Sequence, residues 1–272
     1  MDIFYWQLLL SFLVGGLAVG ILSIWVERTS TQTAAIILSL PTTLAVTLFF
    51  MGWVLSPQAV SDSIIAVPLP LAASVFFMFA YVLAAKKLPK KSWSPFLSAL
   101  LGILFWFLMA FFVILYGPLS LFASLLGYGV IVAIIQWLFL REKSVSPKPS
   151  RRPKGWGEKI FRSIFGGVVI GTAVLLSKLL GPLWGAIFSV FPAFYLSNMV
   201  ILHHYNGASI LPRVVKFVPL TSTSNIVYPL CVGLFYPLVG IGWGTLFAYG
   251  VAILYLVVLR KGLFLFGKGE TL

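Results

Sequence analysis

The sequence predicts an all-α, polytopic integral membrane protein of about nine transmembrane helices, arranged as two inverted-topology four-helix repeats joined by a linking helix. Three observations predict it. Of 272 residues, 60% are hydrophobic and only 9% charged, with mean hydropathy +1.06, whereas a soluble domain carries roughly 25% charged residues; a soluble enzyme is excluded. The apolar residues fall in runs of about 20, the length that crosses about 30 Å of hydrocarbon with every backbone polar group satisfied inside the segment. Strict apolar/polar alternation is absent, which argues against a barrel. Finally, the second half of the chain echoes the first at an offset of 151 residues.

Nine segments, separated by Gly, Pro, Asn and charges, cover roughly 4–26, 33–54, 65–85, 95–115, 119–140, 163–180, 184–204, 215–238 and 241–259. The first opens on Met1-Asp2-Ile3-Phe4-Tyr5-Trp6, with no basic n-region and no small-residue cleavage site, and reads as a permanent span. Lys and Arg in short loops are retained on the cytoplasmic side. With the N-terminus outside and the C-terminus cytoplasmic, 18 of 19 basic residues fall inside: Arg28, the turn at Lys86, Lys87, Lys90 and Lys91, the stretch from Arg141 to Arg162, Arg213 and Lys216, and Arg260, Lys261 and Lys268. Only Lys178 falls on the outer half, the side that also receives Asp2 and Asp62. The net charge of +13 is therefore a topology signal and not a nucleic-acid footprint. Residues 142–161, rich in Pro, Ser, Lys and Arg, read as a cytoplasmic linker that also suits anionic lipid headgroups.

The 151-residue offset superposes Gly15, Gly16 and Gly20 on Gly166, Gly167 and Gly171, Ala35-Ile36 on Ala186-Ile187, Pro41 on Pro192, and Val67-Pro68-Leu69 on Val218-Pro219-Leu220. Gly and Pro are placed by backbone need, so their coincidence carries more weight than that of apolar residues. Segment one maps onto segment six, five crossings later, so equivalent helices run in opposite directions. The expected units are repeat A (1–117), a linking helix (118–141), the basic linker and repeat B (162–272). Inverted repeats of this kind suit alternating access; a duplication kept only for assembly is the other reading.

Pro41 and Pro192 lie near mid-bilayer, where each removes a helix hydrogen bond, and Pro68 and Pro219 mark a second pair of breaks. Polar residues gather beside them: Thr42, Thr43 and Thr47; Ser197 and Asn198; and the run Thr221, Ser222, Thr223, Ser224 and Asn225. Such residues are costly toward lipid and face either a partner helix or a cavity; both readings stay open. Ser74 is the only first-half counterpart of Asn225. Coupling or gating candidates are Glu27, Lys178, His203 and His204, for which interfacial anchoring is the plainer role. Cys231 is the lone cysteine, so no intramolecular disulfide forms. No metal spacing, catalytic set or nucleotide loop is present, and neither an enzyme nor a cofactor is expected.

Gly166-Gly167-Val168-Val169-Ile170-Gly171, then Leu176-Ser177-Lys178, Gly181-Pro182-Leu183, Gly185 and Phe191-Pro192 resemble the GlpM-like small membrane proteins, a four-helix family. In that family a small-residue first helix ends in Ser-Lys and the second carries a Gly, then a Phe-Pro step. The resemblance covers about one hundred residues. The first half departs from it, with Val26-Glu27 for Ser-Lys and Leu40-Pro41 for Phe-Pro. It implies a fused, inverted duplicate of a unit that elsewhere stands alone, and no defined chemistry. The expected function is transport or export of a small solute, ion- or proton-coupled, across the cell membrane. A non-transporting subunit for envelope polysaccharide or lipid synthesis, or a narrow channel, is the alternative. The expected partners are the lipid bilayer and the solute, with no nucleic acid; a homo-oligomer stays open.

Overall fold

The computed structural model describes residues 3–29, 37, 39–88, 92–141, 155–216 and 218–266, without the side chains of 26–28, 213–214, 260 and 262–266. Glu27 as a coupling candidate, most of the linker and the tail beyond 266 lie outside what is described.

The described residues are helical, with no strand among them. The helices are α1 (Ile3–Arg28), α2 (Thr42–Val54), α3 (Pro57–Ser63), α4 (Pro68–Lys87), α5 (Ser94–Tyr116), α6 (Leu121–Arg141), α7 (Trp156–Leu180), α8 (Pro182–Ser189), α9 (Ala193–Asn206), α10 (Leu211–Val215), α11 (Val218–Thr221) and α12 (Ser224–Phe266). Seven helical stretches are long and apolar enough to cross a membrane: Ile3–Trp25, Pro68–Lys87, Ser94–Tyr116, Leu121–Arg141, Trp156–Leu180, Pro182–Asn206 and Val218–Leu259. The last is 42 residues long and folds back at Gly240, whose φ of 75° only glycine adopts readily, so it forms two arms. With those arms counted separately and the shorter Thr42–Val54 added, each of the nine expected segments has a helical counterpart.

Proline sets many of the boundaries. α3, α4, α5, α8 and α10 carry proline in the first turn, where the missing N–H has no partner to lose. α7 starts at Trp156, inside the stretch expected as linker, with Glu158 in its first turn complementing the helix dipole. Segment eight is not a straight helix: it is interrupted between α11 and α12, and Gln136 of α6 splints the approach by donating to the Lys216 carbonyl (2.9 Å) and accepting from the Leu220 N–H (3.1 Å).

The tightest helix pair is α1 with α7. A Cβ added at Gly167 would lie 2.5 Å from the Phe12 carbonyl oxygen, and one at Gly16 2.8 Å from that of Ser163. Gly15 abuts Ile170, and Gly166 abuts Val19. The contacts are reciprocal under the 151-residue offset: 12 matches 163 and 16 matches 167, while 15 matches 166 and 19 matches 170. They also descend on α7 as they ascend on α1, from Phe12 beside Gly167 to Gly16 and Gly20 beside Ser163, so the two helices run antiparallel. Small residues allow this approach where lipid supplies no hydrophobic drive between helices.

α4 is the most enclosed of the long helices, held between α5 and α6. Trp106 of α5, fully buried, donates its indole N–H to Ser74 Oγ of α4 at 2.9 Å. The outer faces of α5 and α6 remain apolar and exposed, as at Phe96, Phe111, Phe122 and Ile134, which suits lipid contact.

Filling the α1–α7 contact is expected to cost about 1–3 kcal/mol, as overpacking does elsewhere. Gly167→Leu should lower the melting temperature of the detergent-purified protein, whereas Gly250→Leu, whose Cβ would meet nothing within 4 Å, should leave it unchanged.

Candidate functional site

Pro41 and Pro192 have no N–H and a φ fixed by the ring, and each directly precedes a helix start, α2 at Thr42 and α9 at Ala193; α8 ends at Ser189, just before Pro192. Their conformations agree, with φ −75° and ψ 42° at Pro41 and φ −77° and ψ 42° at Pro192. The surrounding hydrogen bonds agree as well. Thr42 N–H donates to the Leu40 carbonyl (2.8 Å) and Ala45 to Pro41 (2.7 Å); 151 residues on, Ala193 donates to Phe191 (2.7 Å) and Leu196 to Pro192 (2.8 Å).

Two kinds of backbone group are released at each break, and they meet different fates. The carbonyls are capped by serines. Val190 accepts from Ser74 Oγ at 2.5 Å, and Ser39 accepts from Ser224 Oγ. Each capping serine comes from the other half of the chain. The first-turn N–H groups of Thr43 and Leu44, and of Phe194 and Tyr195, meet no acceptor among the described residues. A helix start leaves such donors over, and inside a protein they need water or a ligand.

All four of those residues line one cavity of about 40 Å³, room for a few water molecules. Its walls include Val19 and Leu22 of α1, Thr42 beside Pro41, Phe191 and Pro192, and the matching pair Ser74 and Asn225. No charged side chain lines it, and no group of His, Cys, Asp or Glu among the described residues could hold a metal ion. The arrangement offers backbone donors, hydroxyls and one carboxamide to a small neutral or hydrogen-bond-accepting group.

No protein-family model, curated protein or solved structure matches the chain. Function therefore rests on the site itself.

Of the residues singled out in the sequence, Thr42, Thr43, Pro192 and Asn225 line the cavity. Thr42 Oγ1 is 2.9 Å from the Tyr249 hydroxyl. Thr47 is buried and donates to the Thr43 carbonyl (2.8 Å), while Ser197 and Asn198 donate back to Phe194 (3.2 and 2.7 Å); none of these three reaches the cavity. The run before Asn225 is used in packing. Thr221 accepts from Ser39 Oγ (2.6 Å), Ser222 pairs with Tyr128 (3.3 Å), Thr223 with Tyr255 (2.8 Å), and Ser224 caps Ser39. Pro68 opens α4 and Pro219 sits in α11, just before the interruption.

The gating candidates lie apart from the cavity. Lys178 is exposed near the end of α7, its Nζ 6.0 Å from the Phe4 ring centre. His204 is exposed, whereas His203 is buried against Tyr81. Sequence reasoning passed over Tyr195, Tyr249 and Ser39, which carry no motif, and Arg162, which was grouped with the linker charges although its side chain is fully buried.

Two substitutions separate scaffold from site. Ser224→Ala removes the hydrogen bond from Ser224 Oγ to the Ser39 carbonyl and should destabilise the protein by about 1 kcal/mol. Asn225→Ala should leave the melting temperature near that of the wild type, because its side chain makes no hydrogen bond among the described residues.

Proposed function

We propose that this protein is a multi-pass membrane transporter of a small solute, working by alternating access between two inverted four-helix halves, 1–117 and 162–272. The observation that carries the reading is the pair of proline breaks 151 residues apart, alike in backbone angles and hydrogen bonds, whose first-turn residues line one cavity. Interrupted helices in corresponding positions of two repeats are how many transporters build a midplane site, because an unwound backbone offers polar groups without charged side chains. The reciprocal, antiparallel glycine contact of α1 with α7 supports an axis lying in the membrane plane, since residue i of one element meets j of the other and j meets i.

The solute is small or partly desolvated, to suit a cavity of about 40 Å³, and it presents hydrogen-bond acceptors to the Thr43, Leu44, Phe194 and Tyr195 amides. Asn225 and the Thr42 and Thr43 hydroxyls orient it. The cell membrane as host, an outer N-terminus and ion or proton coupling belong to the same reading, with the basic loops inside. The resemblance of the second half to GlpM-like proteins fits a fused duplicate of such a unit.

The test is flux in proteoliposomes, with candidate solutes chosen by a thermal-shift screen. The reading expects saturable uptake that responds to an imposed proton gradient and is abolished by Asn225→Leu at unchanged melting temperature. Conductance without saturation assigns a channel instead. Loss of flux together with loss of the melting temperature assigns Asn225 to packing, and an absence of any flux favours a non-transporting subunit.

A further inference from the structure

The exposed apolar stripes of α6 and α7 each end in a tryptophan that carries a cation on its ring. On α6, Ile134 and Trp137 are exposed, and one turn later the Arg141 guanidinium lies 3.6 Å from the centre of the Trp137 ring. On α7, exposed Trp156 precedes exposed Ile160 and Ile164, and Lys159 Nζ lies 4.9 Å from the Trp156 ring centre. Neither cation has a hydrogen bond or an ion pair among the described residues. Glu158, next to Lys159, has its Oε2 buried and does not compensate it. The two pairs flank residues 142–154, which hold five basic residues against one acidic. The other end of α6 is bare of charge, since no charged residue stands between Lys91 and Arg141.

The geometry points to the Trp137–Arg141 and Trp156–Lys159 pairs as two headgroup sites for anionic phospholipid. The inference does not rest on the transporter reading. A tryptophan at the end of an apolar stripe sits at headgroup depth, with its body in the acyl region and its polar edge in water. Stacking on that ring holds the cation at the same depth. A guanidinium lying on a ring keeps the N–H groups of its edge free, and these match the oxygens of a phosphate. Both cations are therefore placed where phosphates are, with their donors left over. A phosphocholine headgroup gains less here: its ammonium is repelled by the same cations, and the ring faces that would attract it are already covered. An anionic headgroup has no such opposing charge, and the basic stretch between the pairs draws it to this end of the molecule.

The experiment uses the full chain in nanodiscs of equimolar phosphatidylcholine and phosphatidylglycerol, with bromine on the acyl chains of one lipid or the other to quench tryptophan emission. Subtracting the matching Trp137→Phe or Trp156→Phe protein isolates each ring. Brominated phosphatidylglycerol is expected to quench both rings more than brominated phosphatidylcholine does. Arg141→Gln should lower that preference at Trp137 alone, and Lys159→Gln at Trp156 alone, each by roughly fivefold, the worth of one basic residue near an anionic surface. Arg141→Lys should retain most of it, and Lys178→Gln should change neither ring. In the wild type the preference should shrink at 1 M salt, because exposed charges are screened. Equal quenching by the two lipids in wild type, a preference untouched by salt, or one that survives unchanged in both Gln variants overturns the assignment and leaves these basic residues as topology signals only.

Discussion

A proline in the middle of an apolar helix leaves backbone groups that lipid cannot satisfy, and the remainder of the structure follows from how those groups are met. At Pro41 and Pro192 the carbonyls of Ser39 and Val190 are capped by hydroxyls from the opposite half of the chain. That exchange ties the halves together at the level of the breaks. The N–H groups of Thr43, Leu44, Phe194 and Tyr195, on the other side of each proline, meet no acceptor among the described residues, and these four residues line the cavity. The polar interior is thus made mainly from backbone, in keeping with a chain in which only 9% of residues are charged.

The scaffold that holds the breaks apart is the α1–α7 contact. Glycine against backbone carbonyl, repeated reciprocally, brings two helices close enough to fix their register, and the next elements in each half are placed by that register. Departures from the match between halves fall around the cavity. Ser74, which lines it, corresponds to Asn225, which lines it too, and α4 is continuous where α11 and α12 are interrupted.

Much of the framework was legible in the sequence because it obeys rules of length and backbone geometry. Runs of about 20 apolar residues gave the helices, and the glycines and prolines gave the offset, since few other residues can replace them where backbones touch or helices stop. The cavity was legible only where it borders a proline. The run from Thr221 to Asn225 reads as a single polar patch, but it spans the interruption between α11 and α12, so its four hydroxyls meet Ser39, Tyr128 and Tyr255 while Asn225 lines the cavity. Tyr195 and Tyr249 went unnoticed because an aromatic in an apolar span looks like core. Arg162 was grouped with its basic neighbours because composition does not reveal that α7 begins at Trp156 and carries it inward. The interruption in segment eight had no local signal beyond Pro219, and the Leu220 amide just before it donates to Gln136, 84 residues away.

The central claim is that the two halves lie inverted across the bilayer. Single cysteines at Ile3 and Trp156, the first residues of α1 and α7, introduced into Cys231→Ser protein and probed in sealed vesicles with a membrane-impermeant maleimide, test it directly. Labelling of the two positions from opposite faces is the result the account predicts. Labelling of both from the same face contradicts it, and the matching breaks would then belong to a bundle without the inversion that alternating access needs.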